Sequence, residues 1–152
     1  MTSKKEVLRN LYEKYIRGTS EKAPVADRTV FFCRLTREVE RVLDLTESTV
    51  YARTIPLKHM YDKKPAEEFD FVIDNIHKVV KHPSHIYKNK NPKRGDFCFI
   101  KKLNGEWYLC SLELIKGNQG KMMIVTAFRL RKTSYLNSFD LLWSWGDGAP
   151  PS

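Results

Sequence analysis

The chain has no apolar run approaching the roughly 18 to 20 residues that cross a bilayer, and Met1-Thr2-Ser3-Lys4-Lys5 leads into a charged amphipathic segment. Neither a membrane span nor a secretory signal is read here, and the expected location is cytoplasmic. Cysteine is scarce: Cys33, Cys98 and Cys110 form an odd set without paired spacing, which argues against a disulfide framework and fits reduced, mostly buried thiols in apolar, strand-like settings. Glycine-rich phosphate loops are missing, and with them the motifs of nucleoside-triphosphate and dinucleotide enzymes. Carboxylates are thin in the second half, where Asp96, Glu106, Glu113, Asp140 and Asp147 stand apart. A metal-dependent nuclease clusters them around its cation. Of the four histidines, His77, His82 and His85 lie close together, but their offsets match no zinc pattern and no cysteine lies nearby. No metal and no cofactor are expected.

What is present is positive charge, unevenly placed. Residues 1–80 balance at +2, whereas residues 81–152 carry 12 Lys/Arg against 5 Asp/Glu. Such a one-sided excess suits a phosphate-bearing partner. At 152 residues the chain suits one domain with its own core, read as 1–145, with residues 1–28 as a peripheral helix and connector and 146–152 as a flexible tail.

Ser3 and Glu6 form a capping box for a helix through Leu8, Leu11, Tyr12 and Ile16, ended by Gly18. Strands are expected at Thr29–Leu35 and Thr49–Arg53, with Thr36 capping a short helix to Leu43. Pro56 suits the first turn of a helix carrying Leu57 to Met60, and a longer helix runs from Pro65 until Pro83 ends it. His82 and His85 then flank Pro83 in a loop, and 89–94 is a basic loop. Asp96–Leu103 and Glu106–Ile115 flank Asn104-Gly105, a type I′ hairpin signal. A third strand, Lys121–Leu130, completes a meander, and Tyr135–Trp145 returns as a short helix or apolar cover. The fold class is α+β, with N-terminal helices packed on a C-terminal antiparallel sheet.

Two places carry candidate chemistry. His59 follows Lys58 at a helix start; an imidazole moves protons near neutral pH and an adjacent ammonium binds phosphate. Taken alone, the dipeptide more often marks a solvated or packing histidine. In the third strand, plain alternation puts Val125, Ala127 and Arg129 on one face and Ile124, Thr126 and Phe128 on the other. There Thr126 can orient a phosphate while Phe128 stacks a base, although β-branched and aromatic residues are also simply what strands contain. Lys101, Lys102, Arg129 and Arg131 supply positive potential.

The succession Phe32-Cys33-Arg34-Leu35-Thr36-Arg37-Glu38-Val39, Val50-Tyr51-Ala52-Arg53, Leu57-Lys58-His59-Met60, His82-Pro83-Ser84-His85-Ile86-Tyr87, Lys102 and Ile124-Val125-Thr126-Ala127-Phe128 resembles the phage and polymorphic-toxin nucleases of the Barnase, EndoU, colicin and RelE-like superfamily, over about residues 30–143. The resemblance implies helices before a four-stranded antiparallel sheet and RNA cleavage without metal. It implies a catalytic His59 with Lys58 beside it, and Thr126 with Phe128 on a late strand. Where many relatives carry a second histidine, this chain has Asp62-Lys63-Lys64: either Lys63 or Lys64 serves the phosphate, or the domain only binds. The expectation is a metal-independent endoribonuclease, toxin or phage-associated, working by 2′-hydroxyl transphosphorylation. His59, Lys58, Lys102 and Thr126 would be catalytic, and Lys101, Arg129, Phe128, Lys63, Lys64 and Arg131 would bind nucleic acid. RNA is the expected partner, tRNA included, with an immunity or antitoxin protein as a further one. The alternative is a non-catalytic basic RNA- or DNA-binding domain.

Overall fold

The helices are set by their apolar stripes and ends. The computed structural model describes residues 4–90, 95–117 and 120–144, so Ser3 of the capping box, part of the basic loop and the tail lie outside the described residues. Helix α1 (Lys4–Tyr15) buries Leu8, Leu11 and Tyr12 on one side. After strand β1 (Thr29–Arg34), the Thr36 hydroxyl accepts the Val39 N–H at 3.3 Å and caps α2 (Arg37–Leu43), which stops where Asp44 turns left-handed at φ 56°. Strand β2 (Thr49–Arg53) runs directly into α3 (Thr54–Lys63). The longest helix, α4 (Ala66–Lys81), has Glu67 and Glu68 in its first turn and Lys78 and Lys81 in its last, both favourable to the helix dipole. Its buried stripe of Phe69, Val72, Ile73, Ile76, Val79 and Val80 lies against the sheet. Among the described residues no helix is long and apolar enough to cross a membrane.

The remaining strands are β3 (His85–Asn89), β4 (Phe97–Leu103), β5 (Glu106–Leu114), β6 (Lys121–Arg129) and β7 (Phe139–Ser144), the last preceded by a 3-10 turn at Thr133–Ser138. They form one seven-stranded sheet in the order β1-β2-β6-β5-β4-β3-β7. The four-stranded antiparallel meander implied by the resemblance is its centre, β6-β5-β4-β3. Two N-terminal strands extend it through a parallel β2–β6 pair, Thr49 opposite Lys121 and Tyr51 opposite Met123. Asn104 (φ 49°) and Gly105 (φ 82°) are both left-handed, as the type I′ hairpin requires.

The two sheet faces are unlike. Helices α1 and α4 cover one, closing a core that includes Phe32, Val50, Phe69, Phe99, Cys110 and Met122. The opposite face carries a smaller cluster, Tyr87, Cys98, Ile100 and Leu109 under Leu136 and Phe139. Three sequence expectations change. His85 is not in a loop: it opens β3 and is fully buried. The segment after Tyr135 is a helical turn followed by an edge strand. The simple alternation of β6 fails, because the register shifts between Ser111 and Leu112, a bulge that makes Val125 the extra residue. Ile124 therefore joins Ala127 in the main core, while Thr126, opposite Ser111, and Phe128, opposite Leu109, stay on the other face.

Candidate nucleic-acid interface

Helix α3 lies beside β6 beyond the point where β2 ends, and Leu57 and Met60 are its core contacts. His59 lies two residues from Leu57, far around the helix from that stripe, and is exposed. His59 and exposed Lys63 are four residues apart, so they are neighbours on the solvent side. Lys58 has another task. It is 6% exposed, and its Nζ lies 2.5 Å from Asp62 Oδ1 and donates to the Ser20 carbonyl at 2.6 Å. Asp62 also accepts the Lys22 N–H at 2.9 Å, so the pair ties the 19–22 connector to α3. The Lys58 ammonium holds the Asp62 carboxyl below its ordinary range; its contribution to stability is therefore present above that range and fades as pH falls through the lowered value. Lys58→Ala should lower the melting temperature at neutral pH, and the difference from the parent should shrink in acid. Thermal melts at both pH values check this.

At the C-terminal end of α3 the chain gathers cations around an aromatic ring. Lys64 Nζ stands 5.6 Å from the centroid of Phe128, within cation–π range. Phe128 in turn meets Tyr135 edge-on at 5.4 Å, so the ring is braced from two sides. Burial lowers the Lys64 pKa, as do Lys63 and Arg131, against an opposing pull from Glu68. Arg131 is ion-paired with Glu68, and its Nη1 donates to the Arg129 carbonyl at 3.3 Å. A cleft of about 290 Å³ between the start of α4 and the end of β6 is lined by Pro65, Glu67, Glu68, Tyr108, Arg129 and Arg131. The Arg129 Nε is buried there with no hydrogen-bond partner among the described residues.

Four of the expected nucleic-acid residues, Lys63, Lys64, Phe128 and Arg131, thus gather at one rim, with Thr126 two residues along β6 on the face of Phe128; Arg129, opposite Tyr108, turns to the helix-bearing face and lines the cleft beside it. Lys101 and Lys102 are elsewhere. Lys101 alternates to the helix-bearing face and donates to the His82 carbonyl at 2.8 Å, beside a separate cleft with Thr36, Lys81 and Pro83. Lys102 lies opposite Trp107, four residues along β5 from Ser111, the partner of Thr126, or roughly 13 Å. Sequence reading missed Glu68 and Tyr135; the i,i+4 spacing of Lys64 and Glu68 was the only sign of the first.

Other reactive groups are occupied or subdued. The Ser84 hydroxyl bonds the Ile100 carbonyl at 3.0 Å and lies 3.1 Å from His85 Nδ1. Trp107 meets the His85 ring edge-on at 5.5 Å. Burial pushes the Cys33 thiol up to about 11 and Cys98 to about 12, and Cys110 well above its ordinary value, so none is a poised thiolate. Among the described residues no three His, Cys, Asp or Glu side chains are grouped to hold an ion.

A family model described as phage-Barnase-EndoU-ColicinE5/D-RelE like nuclease3 matches residues 34–137, spanning α2 through the 3-10 turn. No match was found among curated proteins or among solved structures.

Proposed function

From the premise that the chain belongs to this phage Barnase-EndoU-colicin-RelE-like nuclease family, we propose that it is an endoribonuclease that cuts RNA by transphosphorylation without a metal ion. The observation that carries this reading is the Lys64 ammonium over the Phe128 ring, with Lys63 and Arg131 adding positive charge beside it and Arg129 lining the adjoining cleft, a phosphate-binding and base-stacking combination. In the reaction the 2′-hydroxyl attacks the adjacent phosphorus, the 5′-oxygen leaves, and a 2′,3′-cyclic phosphate results. One proton must be removed, another delivered, and the added negative charge stabilised. His59 takes the 2′-hydroxyl proton and solvent water supplies the one that the departing 5′-oxygen receives, Lys63 and Lys64 hold the phosphate in place of Lys58 and Lys102, and Thr126 donates a hydrogen bond to it. A toxin or phage-associated role, a tRNA substrate and an inhibitory immunity protein belong to the same proposal.

The test is incubation of the purified protein with total RNA in EDTA and mapping of the ends. Cyclic phosphate or 3′-phosphate ends are expected, and strict dependence on magnesium overturns the mechanism. A binding-only domain is favoured by one observation: His59 has no hydrogen-bond or ion-pair partner among the described residues to fix its ring. On either reading, affinity should weaken steeply with salt. Lys63→Glu with Lys64→Glu should flatten the slope of log affinity against log salt by about 0.7 for each phosphate no longer neutralised. Titrations at several salt concentrations check it; an unchanged slope moves phosphate binding off this rim.

A further inference from the structure

Beyond the rim, the helix-free face holds a second feature at the other end of β6. The registers place Phe31, Tyr51 and Met123 in one row across β1, β2 and β6, and Arg34, Thr49 and Lys121 in the next. Arg53 stands on the row to the other side, opposite Thr29. The neighbours Val30, Val50, Ala52 and Met122 all belong to or pack on the main core, so these three rows face away from the helices. Phe31 meets Tyr51 edge-on at 5.9 Å, and Lys121 Nζ sits 5.7 Å from the Tyr51 centroid. Phe31 nevertheless keeps 49% of its surface exposed, on the free edge strand of the sheet. An aromatic row with cations on both sides is poorly explained by packing. Carboxylates are nearby as well: Asp27 is paired with Arg53 at 2.6 Å, Glu113 lies opposite Met123, and Glu47 is in the turn whose backbone meets Gly120, next to Lys121.

We propose that Phe31 and Tyr51 form a stacking platform for unpaired bases of a single-stranded RNA, whose backbone follows Arg34 and Lys121. The Arg34 and Lys121 charges favour an anionic partner, and the exposed Phe31 ring suits a planar ligand rather than a duplex, whose bases are already stacked. The surface continues along β6 through Met123 and Thr126 to Phe128, so one strand can occupy both the platform and the rim. The proposal rests on the RNA reading of that rim, and it assigns single-stranded substrate and flanking-nucleotide binding to it. Phe31 itself precedes the residues matched by the family model, whereas Tyr51 and Lys121 lie within them.

The experiment separates platform from cleavage by using a 2′-deoxy probe, which cannot undergo 2′-hydroxyl attack. Fluorescence anisotropy with labelled oligothymidylate is compared for the full chain, Phe31→Ala, Phe31→Tyr and Lys121→Glu, with circular dichroism as the check on folding. Loss of one stacked base should weaken binding about tenfold or more in Phe31→Ala. Phe31→Tyr should retain affinity, Lys121→Glu should bind less tightly at low salt, and a pre-formed duplex should bind the parent and Phe31→Ala alike. Equal affinity of Phe31→Ala and the parent for the single strand, or no binding by the parent, overturns the platform. RNA cleavage by the same proteins is scored separately. A parent that binds but does not cut leaves the platform standing and removes the endoribonuclease reading.

Discussion

His59→Ala should cut RNA at least about 100-fold more slowly than the parent while binding it almost as well. Losing a positioned acid or base removes roughly two to four orders of magnitude from the rate. The imidazole is exposed on α3 and touches none of the core, so its removal should leave the melting temperature within experimental scatter. The loss therefore belongs in kcat rather than KM. Thr126→Ala should lose less, about 1.5–3 kcal/mol for one hydrogen bond to a charged group. Its half-buried hydroxyl faces away from the main core, so the strand should persist. Single-turnover cleavage with each variant, beside equilibrium binding, decides the matter: unchanged cleavage in both makes His59 a surface residue and moves the proton transfer elsewhere, whereas a parent that binds RNA without cutting it favours the binding domain.

Phe69→Ala should produce the largest loss of stability, about 3–5 kcal/mol. Phe69 is 1% exposed and its ring is shared, lying 5.0 Å from Tyr12 of α1 and 5.4 Å from Tyr61 of α3. Truncation leaves a cavity where three helices meet and removes two aromatic pairings, each worth about 0.5–1.5 kcal/mol beyond burial. The same gap loosens the seat of α3, which carries His59 and Lys63. Activity should fall even at temperatures where most of the variant is folded. Denaturant titration and cleavage assays at matched folded fractions measure the two effects apart.

The elements that sequence reading found have either a one-sided apolar stripe or a strong turn signal beside them, the latter being what marked β4 and β5 although both are largely buried on both faces. Helix α4 repeats its apolar residues at helical spacing, and β4 and β5 flank an unmistakable turn. Strand β3 escaped because His85, Ile86, Tyr87 and Asn89 are all buried, which leaves no alternation to read, and because Pro83 nearby reads as a loop. Strand β7 escaped for the opposite reason: Leu141, Leu142 and Trp143 are exposed, so its apolar residues imitate a cover. At the candidate site, side-chain type revealed charge and aromaticity but not occupancy. Lys58 and Asp62 sit at i,i+4 in the sequence, yet only burial shows that Lys58 is spent on holding a connector. The alternation of β6 gave Thr126 and Phe128 their shared face, while the bulge at Val125 arises from pairing with β5 and has no local signature.

The parallel pairing of β2 with β6 also bears on how the chain reaches this structure. Strands β3 to β6 pair with sequence neighbours and need only short loops closed, whereas β2 must wait for a partner from the far side of α3, α4 and three intervening strands. Pairings of such separation form late, because the loop entropy is lost before any interaction compensates it. Until Lys121–Met123 is in place, β1 and β2 have no strand partner but each other, and a lone two-stranded hairpin is barely stable in water. The row of Phe31, Tyr51 and Met123 is therefore complete only once β2 has paired with β6: the surface that spans both halves of the chain depends on this long-range pairing rather than on the local meander.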